Sequence, residues 1–223
     1  MARATAGEPN QRAVRDAMVD AAVGLLDEHG PDALQARKLA DAAGTSTMAV
    51  YTHFGGMRGV IAAVAMEGLR QFNAALSISD TEDAVADLMS ISAAYRRFAR
   101  KRPHLYRLMF GSTSAHGINA PTLNVLTLAS DQINEQVPSF AHVVRAVQRA
   151  IQAGRIEARD TAVVATAAQF WAVLHGFVTL ELAGFYGDDA EAAGAVLASM
   201  STNLLVALGD SPDRAERSRR SAT

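Results

Sequence analysis

The chain has 223 residues, 49% of them hydrophobic, and a formal net charge of −2. That length is enough for one large domain or for two small domains with real cores. The chain contains no cysteine, which excludes a disulfide scaffold, thiolate metal sites and a cysteine nucleophile.

The first part of the chain is predicted to hold four helices. Apolar residues keep helical spacing from 11 to 30, and the sequence HGPD ends that helix. Two short helices follow at about 34–43 and 47–54, and each ends at glycine. A longer helix is predicted at about 57–76. No period-2 run of β-branched and aromatic residues is long enough to form a strand.

The short helix at 47–54 is unusually rich in hydroxyl groups. Val50 and Phe54 are four residues apart and share one face, which is predicted to pack on the preceding helices. A helix of this length is not stable alone in water, so it must be held by that face. The outward residues are then Thr45, Ser46, Thr47, Met48, Tyr51 and Thr52. This arrangement is typical of a helix-turn-helix motif, whose second helix enters a major groove of DNA.

Any positive charge for DNA must be local, since residues 1–60 carry six basic and seven acidic side chains. Arg37 and Lys38 lie on the helix before the hydroxyl-rich one, and Arg58 follows it. We expect these three residues to supply charge to a DNA-facing surface. A simple packed corner between two helices would show a similar pattern, with Tyr51 as an ordinary surface residue.

The stretch LQARKLADAAGTSTMAVYTHFGGMRGVIAAV resembles the DNA-binding unit of the TetR family of bacterial transcriptional regulators. The A-x-x-x-G turn, the Y-x-H-F sequence and the long fourth helix come in the family's order. In that family the tyrosine and histidine of Y-x-H-F commonly contact the DNA backbone, which implies this role for Tyr51 and His53, with Phe54 in the core. A lysine commonly opens the fourth helix. Here Met57 stands at that position, and Arg58, the next residue, is a candidate for the phosphate contact of that lysine.

The rest of the chain is predicted to form a larger helical domain. A boundary is expected at Arg102, because the residue before a proline is biased away from helix. The expected helices lie at about 81–101, 120–136, 140–153, 161–184 and 190–208, with a short one after Pro103.

Trp171, His175 and Gly176 form a W-x-x-x-H-G pattern, and a helix rich in small residues follows. This resembles one branch of TetR-family effector domains, in which the last two long helices of each subunit pair with those of its partner. The resemblance implies a homodimer through the helices at about 161–184 and 190–208. A symmetric dimer also suits the recognition helix, because two such helices meet half-sites about one turn apart.

A small-molecule effector of unknown identity is expected to bind between helices of the larger domain. Each candidate residue taken alone is more often plain core than a ligand contact, and a lone histidine on an apolar helix is likewise more often a satisfied core residue than a ligand. The candidates are Tyr95, Phe98, Met109, Phe110, Gln169, Trp171 and His175.

No nucleotide-binding loop, nucleophile elbow or zinc-protease motif is found, so we predict that the protein is not an enzyme and has no catalytic residues, cofactor or metal. No apolar run reaches 18 residues without a polar interruption, and no leader segment is recognised, so a cytoplasmic protein without a membrane span is expected. A helical small-molecule-binding or protein-interaction domain without DNA binding stays as the alternative, and an enzyme is the least favoured reading.

These observations together predict an all-α protein of about nine to ten helices that binds a palindromic double-stranded DNA operator as a homodimer and represses transcription until an effector binds. The predicted parts are a disordered N-terminus at 1–9, a helix-turn-helix DNA-binding domain at 10–56, a bridging helix at 57–77, an effector-binding and dimerisation domain at 78–209 and a disordered tail at 210–223.

Overall fold

The computed structural model describes residues 8–111, 124–157 and 162–222. Within these ranges the chain forms α-helices and 3₁₀ turns but no strand, which confirms the predicted all-α class. The helices are α1 (Glu8–His29), α2 (Ala36–Ala42), α3 (Thr47–Phe54), α4 (Met57–Leu76), α5 (Ala84–Lys101), α6 (Pro103–Met109), α7 (Ser130–Gln136), α8 (Pro138–Gln152), α9 (Val163–Leu182), α10 (Ala190–Ala207) and α11 (Pro212–Ser221).

The chain divides into two compact units. Among the described residues, the first unit comprises 8–71 and 102–111, and the second comprises 72–101, 124–157 and 162–222. Helix α4 therefore contributes its first fifteen residues to one unit and its last five to the other.

In the first unit, α1 packs on α2, and α2 packs on α3. Helix α6 lies against α4 at Gly68, where a Cβ atom would come within 2.8 Å of the side chains of Leu105 and Met109. A side chain at this position would push the two helices apart. The glycine thus permits their close approach.

Arg102, just before α6, ties this helix to α1 and α4 within the same unit. Its Nε donates to Asp27 Oδ2 at 2.9 Å, and its Nη1 donates to Gln71 Oε1. Helix α5 ends at Lys101, and Arg102 lies between α5 and α6, as expected for a residue before proline.

In the second unit, Arg96 of α5 joins α9 to the start of α10. Its Nη2 lies 2.5 Å from Glu181 Oε1 and donates to the carbonyl oxygen of Ala190 at 2.6 Å. A Cβ atom on Gly194 would lie 2.7 Å from Arg96 Nη1, so the absence of a side chain there makes room for the guanidinium group.

The expectation of a disordered tail at 210–223 is wrong for residues 212–221, which form α11. Ser211 caps this helix, because its hydroxyl accepts a hydrogen bond from the backbone of Arg214. Ala215 and Ser218 are buried against the second unit. The polar composition of the segment hides these buried positions, which only tertiary contacts reveal.

Other boundaries also shift. Helix α1 begins at Glu8, so disorder at 1–9 is wrong for its last two residues, and 1–7 lie outside the described residues. Helix α5 begins at Ala84 rather than near 81, because Asp83 Oδ1 accepts from the backbone of Val85 and Ala86 and so caps it. Residues 112–123, which include the start of the helix expected at 120–136, are likewise outside the described ranges.

Candidate nucleic-acid interface

The turn between α2 and α3 is built on a glycine. Gly44 has φ +62°, a left-handed conformation that other residues adopt only with strain. The backbone of Thr45 then donates to the carbonyl of Ala40 at 2.9 Å, which closes the end of α2. Ser46 caps α3, because its Oγ accepts from the backbone of Ala49 at 3.3 Å.

The inner face of α3 is held at Val50 and Phe54. Val50 is fully buried, and the guanidinium carbon of Arg15 lies 5.0 Å from the centre of the Phe54 ring. The start of α4 fixes the end of α3, since a Cβ atom on Gly59 would lie 1.9 Å from the carbonyl oxygen of Phe54. A residue with a side chain at 59 would displace this backbone.

The outer face of α3 is open to solvent. Met48 is 71% exposed and Tyr51 is 60% exposed, and Ser46, Thr47 and Thr52 are exposed as well. The hydroxyl groups of Ser46 and Thr47 and the phenol of Tyr51 can donate hydrogen bonds to phosphate or to base edges.

The basic candidates lie on the helices that precede and follow α3 in the chain. Arg37, Lys38 and Arg58 are all exposed, and none of them makes an ion pair with another described residue. His53 and Thr45 are only half-exposed, and the His53 ring lies 6.5 Å from that of Phe54. The structure thus places the predicted residues on α2, the turn, α3 and the start of α4, with Ser46, Thr47 and Thr52 exposed and with Thr45 and His53 half-exposed.

Two supports of the site were missed in the sequence. The stacking of Arg15 on Phe54 joins residues far apart in the chain, and no local pattern signals it. Gly59 does carry a signal, because a glycine inside the first turns of a helix costs about 1 kcal/mol of stability against alanine, which indicates a packing constraint at that position. The constraint is the carbonyl oxygen of Phe54, which leaves no room for a Cβ atom.

The effector candidates divide between the units. In the second unit, Tyr95 and Trp171 have ring centres 5.2 Å apart, and Phe72, which the sequence analysis missed, lies 4.8 Å from Tyr95 and 5.1 Å from Phe98. Phe140 also packs on Trp171, at 5.4 Å. These residues form one aromatic cluster.

His175 joins the aromatic cluster through a hydrogen bond of 2.8 Å between its Nδ1 and the hydroxyl of Tyr95. Burial lowers the pKa of His175 below its ordinary value, which favours the neutral imidazole. Gln169 does not belong to this cluster, because its side chain is exposed. Met109 and Phe110 belong to the first unit, where Met109 packs beside Gly68 and Phe110 lies 4.8 Å from Tyr106.

Within the described residues, no three histidine, aspartate or glutamate side chains converge as metal ligands. Two described helices, α9 and α10, are long and apolar enough to cross a membrane by length and composition, with mean hydropathy of 1.5 and 1.3. Each also carries an exposed stripe of small and polar residues, among them Ala172, Gly176 and Thr179 on α9 and Ala195, Ser199 and Asn203 on α10. Stripes of small residues allow another helix to approach closely.

Two family models match the chain. The model described as "Bacterial regulatory proteins, tetR family" matches residues 18–64, and the one described as "Tetracyclin repressor-like, C-terminal domain" matches residues 88–204, more than half of the chain. The first match contains the site built by α2, α3 and the start of α4. No curated protein is similar enough to the chain to count as a match.

Several solved structures share the fold. The match to a protein with unknown function from Rhodococcus sp. RHA1 has 28% sequence identity and a TM-score of 0.68, and it covers 88% of this chain and 96% of that protein's chain. The match to RolR in complex with resorcinol has 14% sequence identity and a TM-score of 0.65, and it covers 97% of this chain and 98% of the RolR chain. The third match is to SmeT, the repressor of the Stenotrophomonas maltophilia multidrug efflux pump SmeDEF. It has 21% sequence identity and a TM-score of 0.57, and it covers 87% of this chain and 91% of the SmeT chain.

Proposed function

Because the chain belongs to the TetR family of bacterial regulatory proteins and is a ligand-responsive DNA-binding regulator, we propose that it binds a palindromic operator as a homodimer and represses transcription until an effector binds. In this proposal residues 10–56 bind DNA, and residues 78–209 bind the effector and form the dimer. The members of this family are transcriptional regulators and soluble DNA-binding proteins, so we also propose a cytoplasmic protein without catalytic activity.

The observation that carries the proposal is the exposure of the outer face of α3. Val50 is fully buried, while Met48 and Tyr51 on the other side are among the most exposed large hydrophobic residues in the described part of the chain. A helix of eight residues anchored in this way projects its hydroxyl groups outward without needing contacts on that side. Insertion into a major groove gives those groups their hydrogen-bonding partners.

Different residues carry different parts of the proposed DNA contact. Tyr51 and His53, at the end of α3, bind phosphate as the family pattern implies. Lys38 and Arg58 add charge beside them, because both are exposed and unpaired within the described part of the chain. Thr47, in the first turn of α3, lies where residues of a recognition helix meet base edges.

The proposed dimer uses the exposed faces of α9 and α10. A Cβ atom on Gly176 would meet nothing within 4 Å, so this glycine leaves room that its own subunit does not fill. Leu180, Val196 and Met200 are exposed apolar residues on the same two helices. Pairing these helices with their symmetry mates in a four-helix bundle would cover both the small-residue stripes and these apolar side chains.

We place the effector beside the aromatic cluster of the second unit. Its rings offer stacking surfaces, and the hydrogen-bonded pair of Tyr95 and His175 offers a polar anchor, in which burial favours the neutral imidazole. An effector bound there would change the spacing of the two recognition helices in the dimer. Release of DNA then requires only that the effector prefer the wrongly spaced state.

Binding to the DNA upstream of the protein's own gene tests the proposal. We expect a gel shift that weakens steeply as salt rises, and a footprint with two symmetric halves about one helical turn apart. Loss of the shift on competition with the same DNA, but not with unrelated DNA, shows specificity. A helical binding domain without a DNA function would give no shift with the upstream DNA, and it would select no duplex from a random library.

A further inference from the structure

The helix assigned to the major groove lacks the side chains that read base pairs through paired hydrogen bonds. Arginine and lysine read guanine in this way, asparagine and glutamine read adenine, and glutamate and aspartate accept from cytosine. None of these six residue types occurs in α3, whose sequence is TMAVYTHF. The base preference of α3 must therefore come from another kind of contact.

Met48 is the largest wholly apolar side chain on the outer face of α3. It lies in the first turn of the helix and is 71% exposed. Thr52, four residues later, shares its face, and Thr52 Oγ1 donates to the carbonyl oxygen of Met48 at 3.0 Å. Because this hydrogen is used within the helix, Thr52 cannot give it to a base. The face shared by Met48 and Thr52 thus offers an apolar contact more readily than a hydrogen-bond donor.

Among the four bases, only thymine presents an apolar group in the major groove, its C5-methyl. Contact between Met48 and this methyl would remove two apolar surfaces from water. We propose that Met48 reads the C5-methyl of one thymine in each half-site, and that this contact sets the base preference of α3 at that pair. The inference rests on the proposed function, in which α3 enters the groove.

The test begins with the selection of an operator from a random duplex library by the full-length protein. Each thymine of the selected operator is then replaced in turn by deoxyuridine, which lacks only the C5-methyl, and the dissociation constant is measured by fluorescence anisotropy. We expect one position per half-site at which this change weakens binding about fourfold, the loss that corresponds to one buried methyl group. In Met48→Ala the same change should have no effect.

Met66 provides a matched control. It is a methionine of the same unit, 65% exposed, but it lies on α4 outside the turn and the recognition helix. Met66→Ala should bind the operator like the parent and keep the full penalty for deoxyuridine. A general effect of removing an exposed methionine would instead appear in both variants.

Each outcome decides one question. Failure to select any duplex would remove the proposed function itself. An operator without a deoxyuridine-sensitive thymine, or a penalty that persists in Met48→Ala, would overturn the reading by Met48 and leave DNA binding intact.

Discussion

Arg155 and Asp210 form a buried pair in the second unit. Arg155 Nε donates to Asp210 Oδ1 at 2.8 Å and its Nη2 donates to Oδ2 at 2.7 Å, and the two side chains are 9% and 0% exposed. The guanidinium also bonds Ser218 of α11 at 3.0 Å and lies 3.2 Å from Asp83 just before α5. One arginine thus joins the end of the chain to the start of α5.

Removal of the aspartate should therefore be costly. In Asp210→Asn the Arg155 charge stays buried without its main counter-charge, and we expect the free energy of unfolding to fall by about 3 kcal/mol. Urea denaturation followed by circular dichroism measures this. Glu216→Gln, which breaks only exposed pairs with Arg219 and Arg220 on α11, is the control and should leave the midpoint nearly unchanged. Equal midpoints for both variants would contradict the assigned role of the pair.

Acid should weaken the second unit through Asp87. Burial opposes its ionisation, but hydrogen bonds from Thr81 and Arg149 outweigh this, so the pKa of Asp87 lies below its ordinary value of 3.8. A group with a lowered pKa stabilises the fold above that value, and the contribution is lost as pH falls through the lowered pKa. Asp87→Asn should be less stable at neutral pH, yet it should lose less stability than the parent as pH falls from about 5 through 3.8 and on through the lowered pKa. Parallel pH profiles from urea denaturation would be evidence against this account.

Gly59→Ala should disturb the DNA-binding unit. The new Cβ would lie 1.9 Å from the backbone of Phe54, which has no flexible end that can yield. We expect a loss of about 1–3 kcal/mol in stability, together with weaker operator binding because the end of α3 moves. Gly24→Ala in helix α1 is the matched control, because a Cβ atom at this position would meet nothing within 4 Å. This variant should raise the free energy of unfolding by up to about 1 kcal/mol.

Salt dependence should separate the proposed phosphate contacts. Tyr51→Phe removes one uncharged hydrogen bond and should weaken operator binding about fivefold, with the slope of log K against log salt unchanged. Lys38→Ala removes a charge and should reduce that slope by about 1. Titrations at several salt concentrations measure both effects. A reduced slope in Tyr51→Phe, or an unchanged one in Lys38→Ala, would show that the residues have other roles.

Gly176→Glu should prevent dimerisation and leave the subunit folded. The side chain meets nothing within its own chain, but a carboxylate would stand in the centre of the proposed interface. Sedimentation velocity should show a monomer with a normal helical spectrum, and operator affinity should fall because one recognition helix binds alone. A dimer of parental stability would place the interface elsewhere.

Local signals in the sequence set much of the DNA-binding unit. The bounds of α3 and α4 follow from glycines, caps and apolar spacing, all of which act within a few residues. The same signals predicted that Val50 is buried and that Met48 and Tyr51 face outward, as the structure has them. Composition and periodicity likewise predicted the all-α class.

Contacts between distant residues decided the rest. Arg155 pairs with Asp210, 55 positions later in the chain, and also bonds Ser218 of α11. The aromatic cluster includes Phe72, which gives no local sign of its neighbours. A sequence states which side chains share a face of one helix. Which face meets another helix is decided by the packing of the whole chain, because burial energy belongs to pairs of surfaces and not to single segments.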